Sequence, residues 1–209
     1  MPLFKTIHPK KNTTVYVWHI TESFEELNTV FLTENCSNRL NGMRSELHQR
    51  GFLSVRHLLK VAGYSDADLY YNDNGKPHLK DGKHISITHS YTFSGVIISD
   101  DEIGIDIEKN REKIKRIAHK FTDSEQKFLV EEDLIEQLTI IWGAKESLYK
   151  IYLYGGLSFI KDIPIDAFTL KDTETIGWIK ATDWNKKYRI LFESFEGFTL
   201  VYAYPYNKY

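Results

Sequence analysis

The rhythm of apolar and polar positions changes several times along the chain, and each change marks an element. Thr13 to Ile20 (TTVYVWHI) is dense in β-branched and aromatic residues and predicts a strand. The SFEE that begins at Ser23 is a capping box, which predicts a helix carrying Leu27 and Phe31. Leu40, Met43, Leu47, Val55, Leu58, Leu59 and Ala62 recur at helical spacing and Gly63 supplies the stop, with a break at Gly42 or Gly51 left open. Asn72 to Pro77 (NDNGKP) reads as a turn, and HISITHS and SGVIIS read as β-segments around a loop. Asp100 and Asp101 turn the chain into a strand from Ile103 to Glu108. A basic helical stretch follows near Arg111 to Lys120, then a helix start at Thr122. A long helix runs from about Leu134 to Tyr154, closed by Gly155 and Gly156. Strands from Trp178 to Tyr204, with a turn at Glu196 and Gly197, finish the pattern. The class is α+β. Each half offers strands and a long helix, which permits two related subdomains, 1–102 and 103–209.

Composition narrows the partners only a little. With 209 residues and 42% apolar, the chain is long enough to bury a real core. A net charge of -2 means that nucleic acid or an anionic membrane would need a local basic patch. The lone Cys36 closes no intramolecular disulfide, so a reducing cytoplasm fits. The N-terminus lacks the apolar core of a signal peptide, and no run approaches the roughly 18 apolar residues that span a bilayer.

The chemistry concentrates in two places. In GIDIE, Gly104 to Glu108, side chains alternate, so Asp106 and Glu108 point one way while Ile105 and Ile107 point into the core. The two carboxylates stand about 7 Å apart along the strand and repel unless something positive lies between them. Magnesium, with oxygen ligands at about 2.0 to 2.1 Å and places kept for water or phosphate, answers that need. The competing reading is a solvent-facing edge strand with two ordinary acids. In WGAKESLYK, Trp142 to Lys150, a helix puts Trp142, Glu146 and Lys150 on one face. The competing reading there is a surface ion pair beside a core tryptophan.

GIDIE followed by W-x-x-K-E-S-x-x-K resembles the signature pair of the 4'-phosphopantetheinyl transferases. GKP (Gly75 to Pro77) and ITHS (Ile87 to Ser90) resemble two upstream motifs of the longer, single-chain kind that activates peptide synthetases such as the surfactin enzyme. The resemblance runs from about Arg44 to Phe168. It implies two similar halves related by a pseudo-twofold, an active site in the cleft between them, and a monomer. It implies transfer of phosphopantetheine from coenzyme A to a serine of an apo acyl or peptidyl carrier protein, with magnesium, releasing 3',5'-ADP.

Carried over residue by residue, the resemblance makes Asp106, Glu108 and Glu146 the magnesium ligands. Lys145 and Lys150 become the cations that hold the pyrophosphate; Glu125 falls on the proposed general base, with Glu146 and a magnesium-bound water as the other candidates for taking the serine proton. Lys76, Thr88, His89 and Arg56 fall at the adenosine end and its 3'-phosphate, and Arg44 where a more variable cation lies. Thr88 stands in place of a serine, and Gly143 in place of a serine or threonine. On one continuous helix Arg44 and Arg56 would lie about 18 Å apart. Each residue also has a plainer reading: His89 as a hydrogen-bonded loop histidine, Lys76 as a solvated turn residue, Arg56 as an exposed helix residue, and Glu125 as the return partner in a capping box with Thr122. A non-catalytic coenzyme A or carrier-binding module, or a magnesium-dependent phosphotransferase acting on another nucleotide, are the competing functions.

Overall fold

A computed structural model of the chain describes residues 3–152 and 155–206. The chain divides into two compact units, Met1–Asp100 and Asp101–Tyr209. In the first, β1 (Leu3–Lys10), β2 (Thr13–His19), β5 (His84–Ser90) and β6 (Phe93–Ser99) form an antiparallel sheet in the order β1-β2-β6-β5. Three helices, α1 (Phe24–Leu27), α2 (Glu34–Asn41) and α3 (Glu46–Val61), and a small hairpin of β3 (Leu69–Tyr71) and β4 (Pro77–Leu79) complete the unit. The apolar stripe of α3 (Phe52, Val55, Leu58, Leu59) is buried against Trp18, Ile85 and Val96 of the sheet.

Helix boundaries follow local chemistry. The Ser23 capping box is present, with Ser23 N–H donating to Glu26 Oε2 at 2.8 Å. That helix nevertheless lasts a single turn, and Phe31, expected on its apolar face, is 71% exposed. The residues after the turn, Asn28, Thr29 and Val30, all have weak helix propensity, and the Thr29 hydroxyl donates to the Glu26 carbonyl at 3.1 Å. The next helical stretch breaks at Gly42 and runs unbroken through Gly51. Arg44 and Arg56 therefore do not share a helix. At the end of α3, Tyr64 N–H reaches the Leu59 carbonyl and Gly63 N–H that of Lys60, with Gly63 at φ +87, a Schellman stop.

The second unit holds β7 (Gly104–Lys109), α4 (Lys113–Ile117), α5 (Leu134–Ile151), β8 (Glu174–Lys180), β9 (Asn185–Phe195) and β10 (Phe198–Pro205). Its sheet has the antiparallel order β7-β10-β9-β8. Glu196 and Gly197 both take positive φ, the conformation of a tight hairpin turn between β9 and β10. Leu138, Ile141, Ala144 and Leu148 of α5 pack on Ile190, Phe192, Val201 and Ala203. The expected helix end at Tyr154 lies outside the described residues; α5 closes at Ile151 with Tyr152 as its cap.

The two units repeat one internal plan. In each, one strand (β2, β7) is followed by a long helix (α3, α5) and then by a hairpin whose last strand (β6, β10) pairs with it; β1 and β8 are added at opposite ends of that plan. No helix among the described residues is long and apolar enough to cross a membrane.

Candidate active site

Strand β7 and helix α5 meet because two glycines let them. A Cβ on Gly104 would lie 1.9 Å from the Ser147 carbonyl oxygen, so the helix backbone rests directly on the strand. A Cβ on Gly143 would lie 2.8 Å from Val201 Cγ2 and 3.7 Å from Asp106 Oδ2. Val201 is the β10 partner of Asp106, and paired residues point to the same side of a sheet. Because side chains alternate along a strand, Gly104, Asp106 and Glu108 share the face that α5 covers. β7 is the edge strand of its sheet, as the competing reading had it, but its acids are turned under α5 and not to open solvent. Asp106 is 6% exposed and Glu108 half-buried, while Ile105 and Ile107 on the opposite face are buried as expected.

One turn beyond Glu146 on the helix, Lys150 Nζ donates to Asp106 Oδ1 and to the Ile105 carbonyl, both at 2.8 Å. Ser147 Oγ donates to the Val201 carbonyl at 3.2 Å and fastens the same helix turn to β10. The half-buried Glu146 carboxyl is pushed up from 4.5 to about 6. Burial is the largest cause; the Asp106 and Glu108 carboxylates add to it, and Lys150 opposes it. Three carboxylates and one ammonium thus form a single electrostatic cluster. Among the described residues, no three His, Cys, Asp or Glu side chains are gathered to metal-holding distances. In kind, the donors fit a hard divalent cation: all are carboxylate oxygens, and three acids outweigh one lysine.

Lys145 takes a different course. It is fully buried, its Nζ 2.6 Å from Glu125 Oε1 and donating to the Phe159 carbonyl at 2.8 Å. Burial lowers its pKa while Glu125 pulls the other way. Glu125 is also fully buried, accepting from Ile165 N–H at 3.1 Å and Asp123 N–H at 3.1 Å. The expected capping box is absent, because the Thr122 hydroxyl donates back to the Ala118 carbonyl instead. For Lys145 to hold a phosphate, or for Glu125 to take a proton, this closed pair has to open. Trp142 packs edge-on to Phe121 at 5.2 Å and beside Phe159 at 5.5 Å, both ring-centroid distances.

In the first unit, the plainer reading of Arg56 as an exposed helix residue is corrected. Arg56 is 3% exposed and belongs to the interior: Nε donates to Asp66 Oδ1 at 3.0 Å, and its guanidinium lies 3.6 Å from the centroid of the Phe52 ring. Asp66 Oδ2 in turn accepts both the N–H and the hydroxyl of Thr33, the residue that opens α2. The guanidinium therefore ties α3 to the start of α2 and is turned away from any solvent-borne phosphate. Arg44 is exposed in the link before α3. Lys76 sits half-buried in the β3–β4 turn, where its N–H donates to Asn72 Oδ1 at 2.9 Å. Thr88 is buried on β5 and His89, next to it, is exposed. Gly51, weighed in the sequence only as a helix break, and Gly104, read only as the start of GIDIE, are the positions where a missing side chain shapes the surroundings of His89 and of the acids.

The chain is similar to enterobactin synthase component D of Salmonella typhimurium, with 29% identity over 136 residues, 62% of this chain and 58% of that protein. It is 27% identical over 136 residues to the protein of the same name from Salmonella typhi, with the same coverage. The match thus spans less than two thirds of the length of these relatives. Residues 102–201, which hold GIDIE, α5 and the whole cluster around Glu146, match the sequence model of the 4'-phosphopantetheinyl transferase superfamily. The family likeness thus lies in the second unit, over just under half of the chain.

Proposed function

We propose that the protein is a 4'-phosphopantetheinyl transferase of the longer, single-chain kind, working as a cytoplasmic monomer on an apo acyl or peptidyl carrier protein. The observation that carries this reading is the cluster of Asp106, Glu108, Glu146 and Lys150, built by α5 on β7 inside the segment that matches the superfamily. In the reaction, the carrier serine oxygen bonds to the β-phosphorus of coenzyme A. The bond from that phosphorus to 3',5'-ADP breaks, and the serine gives up its proton. Such chemistry asks the protein for positioning and charge neutralisation.

Asp106, Glu108 and Glu146 would hold a magnesium ion, which supplies positive charge where the pyrophosphate and the leaving group carry negative charge. Lys150 reinforces that charge from one turn along the helix. Lys76, Thr88, His89 and the variable Arg44 serve the adenosine end. Arg56 does not, because its charge is spent on Asp66. Protonating Glu125 would leave Lys145 as a buried cation without its counter-charge, so Glu146 is the better acceptor for the serine proton. Carriers are acidic helical proteins, and the exposed cations Lys113, Arg116 and Lys120 in and after α4 offer them a docking face.

The test is direct. The protein, coenzyme A, magnesium and an apo carrier are incubated together, and the carrier is weighed by mass spectrometry. A gain of one phosphopantetheine is expected. Unchanged mass on several carriers, with coenzyme A still bound, would replace the enzyme by the non-catalytic binding module.

A further inference from the structure

A glycine inside a helix costs stability relative to alanine, and α3 carries one at Gly51, in its buried middle. The backbone does not ask for it, since Gly51 is not among the residues with positive φ. A side chain does: a Cβ there would lie 3.0 Å from Nδ1 and 3.1 Å from Cγ of His89, nearer than carbon atoms pack. An alanine methyl would press on the imidazole, which would have to give by a few tenths of an ångström.

Hydrogen bonds fix the height of the helix over this ring. His89 on β5 is paired across the sheet with Ser94 on β6. Ser94 Oγ bonds to Ser54 Oγ at 2.8 Å, and Ser54 Oγ also bonds to the Gly51 carbonyl at 2.8 Å. Ser54 and Ser94 are both fully buried. Strand, helix and ring are thus referred to one another through a closed set of contacts, while His89 stays exposed. His48, one turn earlier on α3, flanks the ring at 6.3 Å between centroids.

We infer that Gly51 is a positioning residue: the absent side chain is a seat that holds the His89 imidazole where it meets the anionic end of coenzyme A. This rests on the function proposed above. Alanine at position 51 lengthens the good helix formers of α3 but pushes the ring off its seat. Gly51→Ala is therefore expected to keep or raise the midpoint of thermal unfolding, hold kcat, and raise the KM for coenzyme A about tenfold, the size of one hydrogen bond to a charged group. The His89 ring resonances in a nitrogen–proton NMR spectrum should move as well. In a His89→Ala background the same glycine substitution should change the KM no further. A KM for coenzyme A equal to wild type in Gly51→Ala, or an undiminished effect in the His89→Ala background, overturns the inference. If the wild-type protein transfers nothing, the proposed function fails; the seat is then judged by whether Gly51→Ala moves the His89 ring resonances.

Discussion

Glu146 stands between two acids and a lysine, and its fate with pH follows from that. The folded carboxyl is raised from 4.5 to about 6, so across this window the folded protein binds a proton that the unfolded chain has already released. Stability therefore falls as pH rises from 4.5 to about 6, and the full cost is carried above that range. Glu146→Gln should be more stable than wild type at pH 7.5 by on the order of 1 to 2 kcal/mol, with the gain vanishing near pH 4. Urea denaturation at both pH values checks it, and equal gains at the two would contradict the assignment. Excess magnesium at pH 7.5 should raise the unfolding temperature of wild type and leave that of Glu146→Gln nearly unmoved. Side-chain alternation made the pairing of Asp106 with Glu108 legible in the sequence. It could not show which cation answers an acid. Arg56 looked like an exposed helix cation because its partner, Asp66, enters from a 3-10 turn that no periodicity announces.

Elements were legible where one face is apolar and the ends carry a stop signal. The strand at β2, the helix α5 and the glycine at the end of α3 follow from such patterns. By contrast, β1 escapes: it is an edge strand with no buried residue and with Pro9 at an irregularity in its pairing, so it shows no alternation to read. The placement of α5 on β7 was equally silent, because Gly104 reads as the plain start of a strand. Yet Gly104 decides the site, since its Cα hydrogen occupies the only room between the strand and the Ser147 carbonyl. A methyl group there would meet backbone, which cannot swing aside as a side chain can. Gly104→Ala should destabilise the second unit toward the upper end of the roughly 1 to 3 kcal/mol typical of overpacking. It should also depress transfer at temperatures where the chain is still folded, because Asp106 and Glu146 would be spread apart. Wild-type stability in that variant, measured by denaturant unfolding, would show that α5 is free to shift.

At the scale of the whole molecule the charges nearly cancel, 27 basic against 29 acidic, so docking of an acidic partner must come from how they are arranged. The docking face proposed for it is the basic stretch after β7. Ile114, Ile117 and Ala118 pack on the core of the second unit, which turns Lys113, Arg116 and Lys120 outward and exposed. Lys115 does not join them, because it lies 3.4 Å from Glu112 and 3.9 Å from Glu131. Three outward cations, each worth roughly 0.2 to 1 kcal/mol to an exposed acidic partner, set the scale. Replacing all three with glutamate should raise the carrier KM roughly three- to hundredfold. The KM for coenzyme A and the unfolding temperature should hold, since these side chains are solvated and none belongs to the cluster around Glu146. Salt makes the test sharper: screening shortens to about 8 Å at 0.15 M and about 3 Å at 1 M, so the gap between wild type and variant should close as salt is added. A carrier KM that ignores both the substitutions and the salt would move the proposed docking face elsewhere on the molecule and leave the transfer proposed for α5 and β7 to be judged by its own test.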